Sequence, residues 1–271
     1  MLPAMRSAGC RSPQFSTGTV VETIQTPDGE RSYRLHIPTG YNNRRPAPLV
    51  LNFHGYAKSA EQQEAYSGLV PLSDSRGFIL VTPEGGGHPA GWDIVGVYND
   101  DGTDDVLFVG NLVAHLSDVL CIDQKRIFAT GHSNGAEMAS QLACQAPELI
   151  AAVAPVSGAV YQGCNGSGVP MIAFQGTADW NVLYEWSADA VHEWAAHNGC
   201  EQSPASTFSD VHIERLSWPG CTGGDVVFYI IEDGGHTWPG ADPALGGIGS
   251  TTTGIDASLL MWQFFQAHPR K

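Results

Sequence analysis

The succession of apolar runs in this chain predicts an α/β fold: a mostly parallel central sheet with helices on both faces and an antiparallel hairpin at its start. Three observations lead there. From residue 49 onward, runs of strand length alternate with stretches of helical period. Several runs, such as 170–175 and 226–231, are apolar almost throughout, as strands buried on both faces are. Short turns rich in glycine and polar residues follow the carboxyl ends of these runs, where open parallel sheets expose their functional groups.

Residues 20–25 and 31–37, joined by Pro27-Asp28-Gly29, read as the opening hairpin. A buried strand is expected over 49–53, a helix over 61–73, and a strand over 78–82 followed by a long glycine-rich loop to Thr103. The helix from Asp105 sets Val106, Val109, Leu112, Val113, Leu116 and Leu120 on one side, spaced to pack on a sheet. A strand over 126–130 then gives way to a helix beginning at Ala136. Beyond the strand at 170–175 come a helix, an insertion of short strands, the strand at 226–231 and a terminal helix over 257–268. The organisation is one domain, residues 19–271, preceded by an N-terminal extension, residues 1–18, tied down through Cys10.

A chain of 271 residues can bury one substantial core without a second domain, and a monomer is expected. Its formal net charge is -15, and the basic pairs Arg44-Arg45, Lys125-Arg126 and Arg270-Lys271 are far apart in sequence. Nucleic acid and anionic membrane are therefore poor partners for such a surface, and neither is expected. No apolar run approaches the roughly 20 residues of a membrane helix. The cysteines Cys10, Cys121, Cys144, Cys164, Cys200 and Cys221 form an even set without C-x-x-C spacing. That points away from zinc and toward three disulfides in an exported protein. Cys200 and Cys221 flank the same insertion of short strands and are expected to pair. Residues 1–5 show no charged region leading into an apolar stretch, so the chain reads as a mature or trimmed form of a secreted protein. Asn165-Gly166-Ser167 is a glycosylation sequon.

Gly131-His132-Ser133-Asn134-Gly135 sits where a strand passes into a helix, and a serine on that sharp turn is a nucleophile candidate. A serine hydroxyl is too weak an acid to attack an ester unaided, so it requires a histidine base and an acid that orients the base. Asp179, in the loop after the strand at 170–175, is the candidate acid, with Asp189 and Asp210 as poorer rivals. His236, in the glycine-rich loop after the strand at 226–231, is the candidate base. His36, His54 and His132 precede Ser133 and are in the wrong order for that role. His54-Gly55-Tyr56 instead follows a strand as an oxyanion turn does. The backbone N–H groups of Tyr56 and Asn134 are the candidate oxyanion donors.

The acidic cluster Asp100-Asp101-Gly102-Thr103-Asp104-Asp105 invites a calcium reading. An EF-hand loop aligned on Gly102 would place Val97 and Phe108 at ligand positions, so no metal is expected. Asp104 and Asp105 are better placed as a helix cap facing the dipole. Trp92, Trp180 and Trp238 lie near the candidate site in sequence and are expected to border the substrate.

These segments resemble the secreted esterases of the feruloyl esterase and polyhydroxybutyrate depolymerase group, close to carbohydrate esterase family 1. The matching stretches are Ser7-Ala8-Gly9-Cys10, Phe53-His54-Gly55, Gly91-Trp92, Asp104-Asp105-Val106, Cys121-Ile122-Asp123, residues 129–136, Asn198-Gly199-Cys200 and residues 234–240, covering nearly the whole chain. The resemblance implies an α/β-hydrolase fold with no large lid that cleaves esters without a cofactor. The cysteines follow the feruloyl esterase branch, whereas Gly235-His236-Thr237-Trp238-Pro239-Gly240 is shared with depolymerase-like members. The expected substrate is a hydroxycinnamoyl ester on plant cell-wall polysaccharide or a small aryl or alkyl ester. Alternatives are a short polyester depolymerase, an acetylxylan esterase and, from another class, a catalytically silent protein of this fold that binds a carbohydrate or protein.

Overall fold

A computed structural model describes residues 4–11, 15–27, 29–94 and 104–271. Ten strands form one sheet. In chain order they are β1 (Gly18–Thr26), β2 (Gly29–Ile37), β3 (Ala47–Phe53), β4 (Ile79–Pro83), β5 (Ile122–His132), β6 (Ala152–Val156), β7 (Met171–Gly176), β8 (Ala205–Asp210), β9 (Ile213–Trp218) and β10 (Val226–Ile231). Across the sheet they run β1-β2-β4-β3-β5-β6-β7-β10-β9-β8. The six strands from β4 to β10 in that order pair parallel, and antiparallel pairs close each end. The opening hairpin is present, with Asp28 of its expected turn outside the described residues.

β3, β6, β7 and β10 are buried almost from end to end because helices cover both faces. On one face α3 (Asp105–Val119), α4 (Asn134–Gln145) and α5 (Tyr184–His197) enclose Leu49, Leu51, Phe53, Met171 and Phe228. On the other, α1 (Ala60–Ser67), α2 (Leu69–Arg76) and α6 (Ala257–Ala267) cover Val50, Phe128, Phe174 and Tyr229. Each fully buried Phe or Leu contributes about 1.5–3 kcal/mol.

Three boundaries differ from expectation. The helix over 61–73 is two helices, because Gly68 adopts φ 63, ends α1 with its N–H on Glu64 O and starts α2 at a new angle. The strand ahead of Ser133 begins at Ile122, which pairs with Ala47 before the register shifts. The following helix starts at Asn134, two residues early, because it grows directly out of the turn.

The acidic cluster is only partly described, since Asp100 to Thr103 fall outside. Asp104 accepts the Leu107 N–H at 2.8 Å as an N-cap, and buried Asp105 pairs with Arg31 at 2.9 Å. Disulfides join Cys10 to Cys121, Cys144 to Cys164 and Cys200 to Cys221. The latter two span 20 and 21 residues, and a loop of that size contributes roughly 3 kcal/mol through the unfolded chain. The N-terminal segment is bound by more than Cys10: Ser7 N–H donates to Ile122 O, and Met5 N–H donates to Asp123.

Candidate active site

β5 delivers Ser133 at its carboxyl end with φ 57 and ψ -127, a conformation that costs a side-chain-bearing residue about 1–3 kcal/mol. The turn persists because its backbone is held from both sides. Ser133 N–H donates to Val156 O on the neighbouring strand, and Ser133 O accepts from Ala136 and Glu137 N–H. Space dictates the flanking glycines: a Cβ on Gly135 would lie 2.1 Å from Phe53 O, and one on Gly131 would lie 2.3 Å from Gly135 O. β3, β5 and α4 can approach this closely only without side chains there.

The loops after β7 and β10 are laced together. Ala178 N–H donates to Gly234 O, and Asp233 N–H donates to Thr177 Oγ1. They bring Asp179 Oδ2 to 2.8 Å from His236 Nδ1. The carboxylate also accepts from Gln175 Nε2, Asn181 N–H and Val182 N–H, each at 2.9 Å. Four donors fix its orientation, and with Nδ1–H donating to Asp179 it is Nε2 of His236 that faces the cavity as acceptor. Nε2 receives a 3.3 Å contact from Asn181 Nδ2, and among the described residues no hydrogen bond joins Ser133 to His236. The two line the same cavity. Asp189 lies in α5 and Asp210 ends β8, and among the described residues neither hydrogen-bonds His236.

The turn at His54 is fixed through a defined tautomer. Gly85 N–H donates to His54 Nε2 at 2.8 Å, so Nδ1 carries the proton and donates to Gly55 O at 2.8 Å. Burial holds the His54 imidazole below its ordinary pKa, which keeps it in this neutral form. Trp92 Nε1 donates to His54 O, and Asn134 brackets the Trp92 backbone with both ends of its amide. The Asn134 side chain therefore braces the loop, and its backbone N–H stands in the first turn of α4, where no intrahelical acceptor exists.

The cavity, about 270 Å³, is lined on one side by Gly55, Tyr56, Ser133, Asn181 and His236. On the other are Gln62, Gln63 and Tyr66 of α1 and residues 245–248. The His132 ring stands 4.6 Å from that of His236, and burial drives its pKa well below the ordinary value, with His236 and Lys58 acting in the same direction. Two of the three expected substrate tryptophans are corrected. Trp92 is 0% exposed and packs edge-on to Phe53; Trp238 is 1% exposed, with its indole N–H on Ser258. Both are sealed almost completely in the fold and neither lines the catalytic cavity. Trp180 is 66% exposed beside Asn181, outside the cavity lining.

Sequence reasoning missed Asn181, Gln63, Tyr66 and the 245–248 segment. Asn181 carried a faint signal, two residues after the candidate acid. The 245–248 segment arrives only through tertiary pairing, in which His236 and Ile248 exchange both backbone hydrogen bonds, at 2.8 and 2.9 Å.

A serine on a strand-to-helix turn, with an acid–histidine pair on later loops at the carboxyl edge of an open parallel sheet, is the layout of the α/β-hydrolases. The chain belongs to the family described as Esterase PHB depolymerase, which matches residues 31–178. It is 31% identical over 256 residues to feruloyl esterase D of Neurospora crassa, covering 89% of this chain and 85% of that protein. With feruloyl esterase C of Emericella nidulans it shares 30% over 274 residues, 96% and 91% of the two chains. Among solved structures, an acetyl xylan esterase from Aspergillus awamori superposes with a TM-score of 0.68 at 18% identity, over 80% of this chain and 94% of that one, a likeness of fold. The chain is a carboxylic ester hydrolase.

Proposed function

We propose that Ser133, His236 and Asp179 form the catalytic triad of an esterase that releases ferulic or related hydroxycinnamic acids from plant cell-wall polysaccharide. The observation that carries the triad is the 2.8 Å Asp179–His236 bond beside a strained serine lining the same cavity. The named activity of the relatives, over most of the chain, supports the substrate.

His236 Nε2 takes the Ser133 proton as Oγ attacks the ester carbonyl. For this the Asn181 amide cedes Nε2, and its 3.3 Å length makes that exchange cheap. Backbone N–H groups of Asn134 and Tyr56 meet the oxyanion, each contributing roughly 3 kcal/mol. His236 then protonates the leaving alkoxide and activates the water that frees the acid. Trp180, exposed next to Asn181, remains the candidate tryptophan for substrate contact beyond the cavity.

The same reading includes a single catalytic domain over 19–271 with 1–18 as its strap, export from the cell, a monomeric state and no nucleic-acid partner. The three disulfides support export, and no helix among the described residues is long and apolar enough to cross a membrane. The test is a set of specificity constants for methyl ferulate, acetylated xylan and hydroxybutyrate oligomers. Methyl ferulate is expected to exceed methyl acetate by roughly ten- to a thousand-fold, the range that burial of one aryl ring can supply. Preference for acetylated xylan or for the oligomers would overturn the substrate and leave the triad standing.

A further inference from the structure

The catalytic cavity contains a fixed acceptor that the mechanism does not use. Gln63 belongs to α1, is only 3% exposed, and still lines the cavity. Its Nε2 donates to Asn52 Oδ1 at 2.9 Å, and Asn52 Nδ2 donates to Ser67 Oγ at 3.3 Å. Asn52 is fully buried at the end of β3 and Ser67 closes α1, so the amide is anchored to two elements of the frame. With its nitrogen committed to Asn52, Gln63 has its Oε1 left over, and that oxygen takes no hydrogen bond among the described residues. His132 Nε2 in the same wall also lacks a partner, but it is sealed from the surface, whereas Gln63 Oε1 is not among such sealed atoms.

We infer that Gln63 Oε1 is the hydroxyl-reading element of an acyl subsite, accepting a hydrogen bond from the phenolic O–H of a hydroxycinnamoyl group. The inference rests on the hydroxycinnamoyl reading above and names how that substrate is told apart. A cavity of about 270 Å³ beside Ser133 is of a size to take the acyl group, and this reading sets the buried acceptor against the acid half of the ester. Tyr56, Tyr66, Leu245 and Ile248 supply surfaces for an aryl ring. Gln63 lies one helical turn before Tyr66 on the same face of α1, and the Tyr66 ring stands edge-on to His132 at 5.4 Å, which in turn faces His236. The acceptor is thus connected to the reacting end by two ring contacts. It is neutral, so it takes a phenol without the desolvation cost of a carboxylate.

The test compares methyl p-coumarate, methyl cinnamate and methyl 4-methoxycinnamate on the unaltered protein, which requires no variant to fold. The phenol is expected to have a kcat/KM roughly ten- to a hundred-fold above both analogues, since neither can donate and both leave the buried acceptor unpaired. In Gln63→Met that ratio should fall to within about three-fold, through loss of the p-coumarate constant. Equal constants in the unaltered protein, or a ratio that survives in Gln63→Met, would overturn the assignment while hydroxycinnamoyl hydrolysis stands. A hydroxyl preference confined to methyl 3-hydroxybutyrate over methyl butyrate would overturn it in favour of a hydroxyalkanoate. If no cinnamate ester turns over while acetate esters do, the substrate reading fails and this subsite fails with it.

Discussion

The two sides of the catalytic cavity are built in opposite ways. On the nucleophile side, residues 131–135 are contiguous, a Cβ added to Gly131 or Gly135 would meet backbone at 2.3 and 2.1 Å, and the turn at Ser133 is held by hydrogen bonds to a neighbouring strand and to α4. On the far side, Gln63 and Tyr66 of α1 are buried, whereas Gln62 is exposed, Leu245 and Ile248 are 50% and 43% exposed, and their segment pairs with the His236 loop through the His236–Ile248 bridge and the Gly235–Ser250 hydrogen bond. The comparison teaches a division of labour. The tight side holds the proposed nucleophile, and its turn tolerates no added atom. The exposed 245–248 segment of the far side is the part that can vary without disturbing that turn.

The largest effect that sharpens this contrast is Ser133→Ala, expected to lower ester turnover by roughly 10⁴- to 10⁶-fold with an unchanged circular dichroism spectrum. A variant keeping a tenth of the activity would remove the serine mechanism. Gly135→Ala and Gly246→Ala then set the two sides against each other. The first drives a methyl into Phe53 and His54 carbonyls and should cost about 3 kcal/mol or more in denaturant unfolding, together with most activity. The second meets only the Tyr66 ring at 3.3–3.4 Å and should cost about 1 kcal/mol, with acetate ester turnover retained. Comparable losses in the two would erase the distinction.

Tryptophans divide along a similar line. Trp238→Ala empties a buried site and breaks the bond to Ser258, for about 3–5 kcal/mol of stability, whereas Trp180→Ala should stay within about 0.5 kcal/mol. Urea midpoints of the two variants decide it.

The smallest effect concerns pH. His132 and His54 have folded-state pKa values lowered from 6.5 by burial, so below pH 6.5 the unfolded chain takes up protons that the folded one refuses. Stability is then lost as pH falls through 6.5, by up to about 1.4 kcal/mol per pH unit for each histidine. Glu137, raised by burial, acts at lower pH: from its ordinary 4.5 up to its folded value the folded state holds the extra proton, so its contribution declines as pH rises. Thermal midpoints should drop between pH 7 and pH 5.5, and His132→Asn should flatten the drop. An unaltered slope would mean that His132 is not kept neutral by the fold.

The sequence alone determined the sheet, the strand-to-helix turn at Ser133 and the two loops whose Asp179 and His236 the structure joins, because each depends on local pattern. Buried parallel strands read as apolar runs, and a loop after such a strand has only a few polar residues to offer. It also placed the Cys200–Cys221 pairing, since the two cysteines bracket one insertion. Its errors fell where local pattern carries no information. Trp92 and Trp238 are close to the site along the chain, yet their rings turn into the core, a direction that packing alone selects. Gly68 reads as a residue inside a helix until its left-handed conformation divides it. Only the tertiary structure could set Asn181 against His236, turn the Gln63 amide by way of Asn52, or bring residues 245–248 over the cavity. Those contacts join positions distant in sequence, and they are fixed by which backbone and amide groups need partners once the strands are packed, a balance no single segment contains.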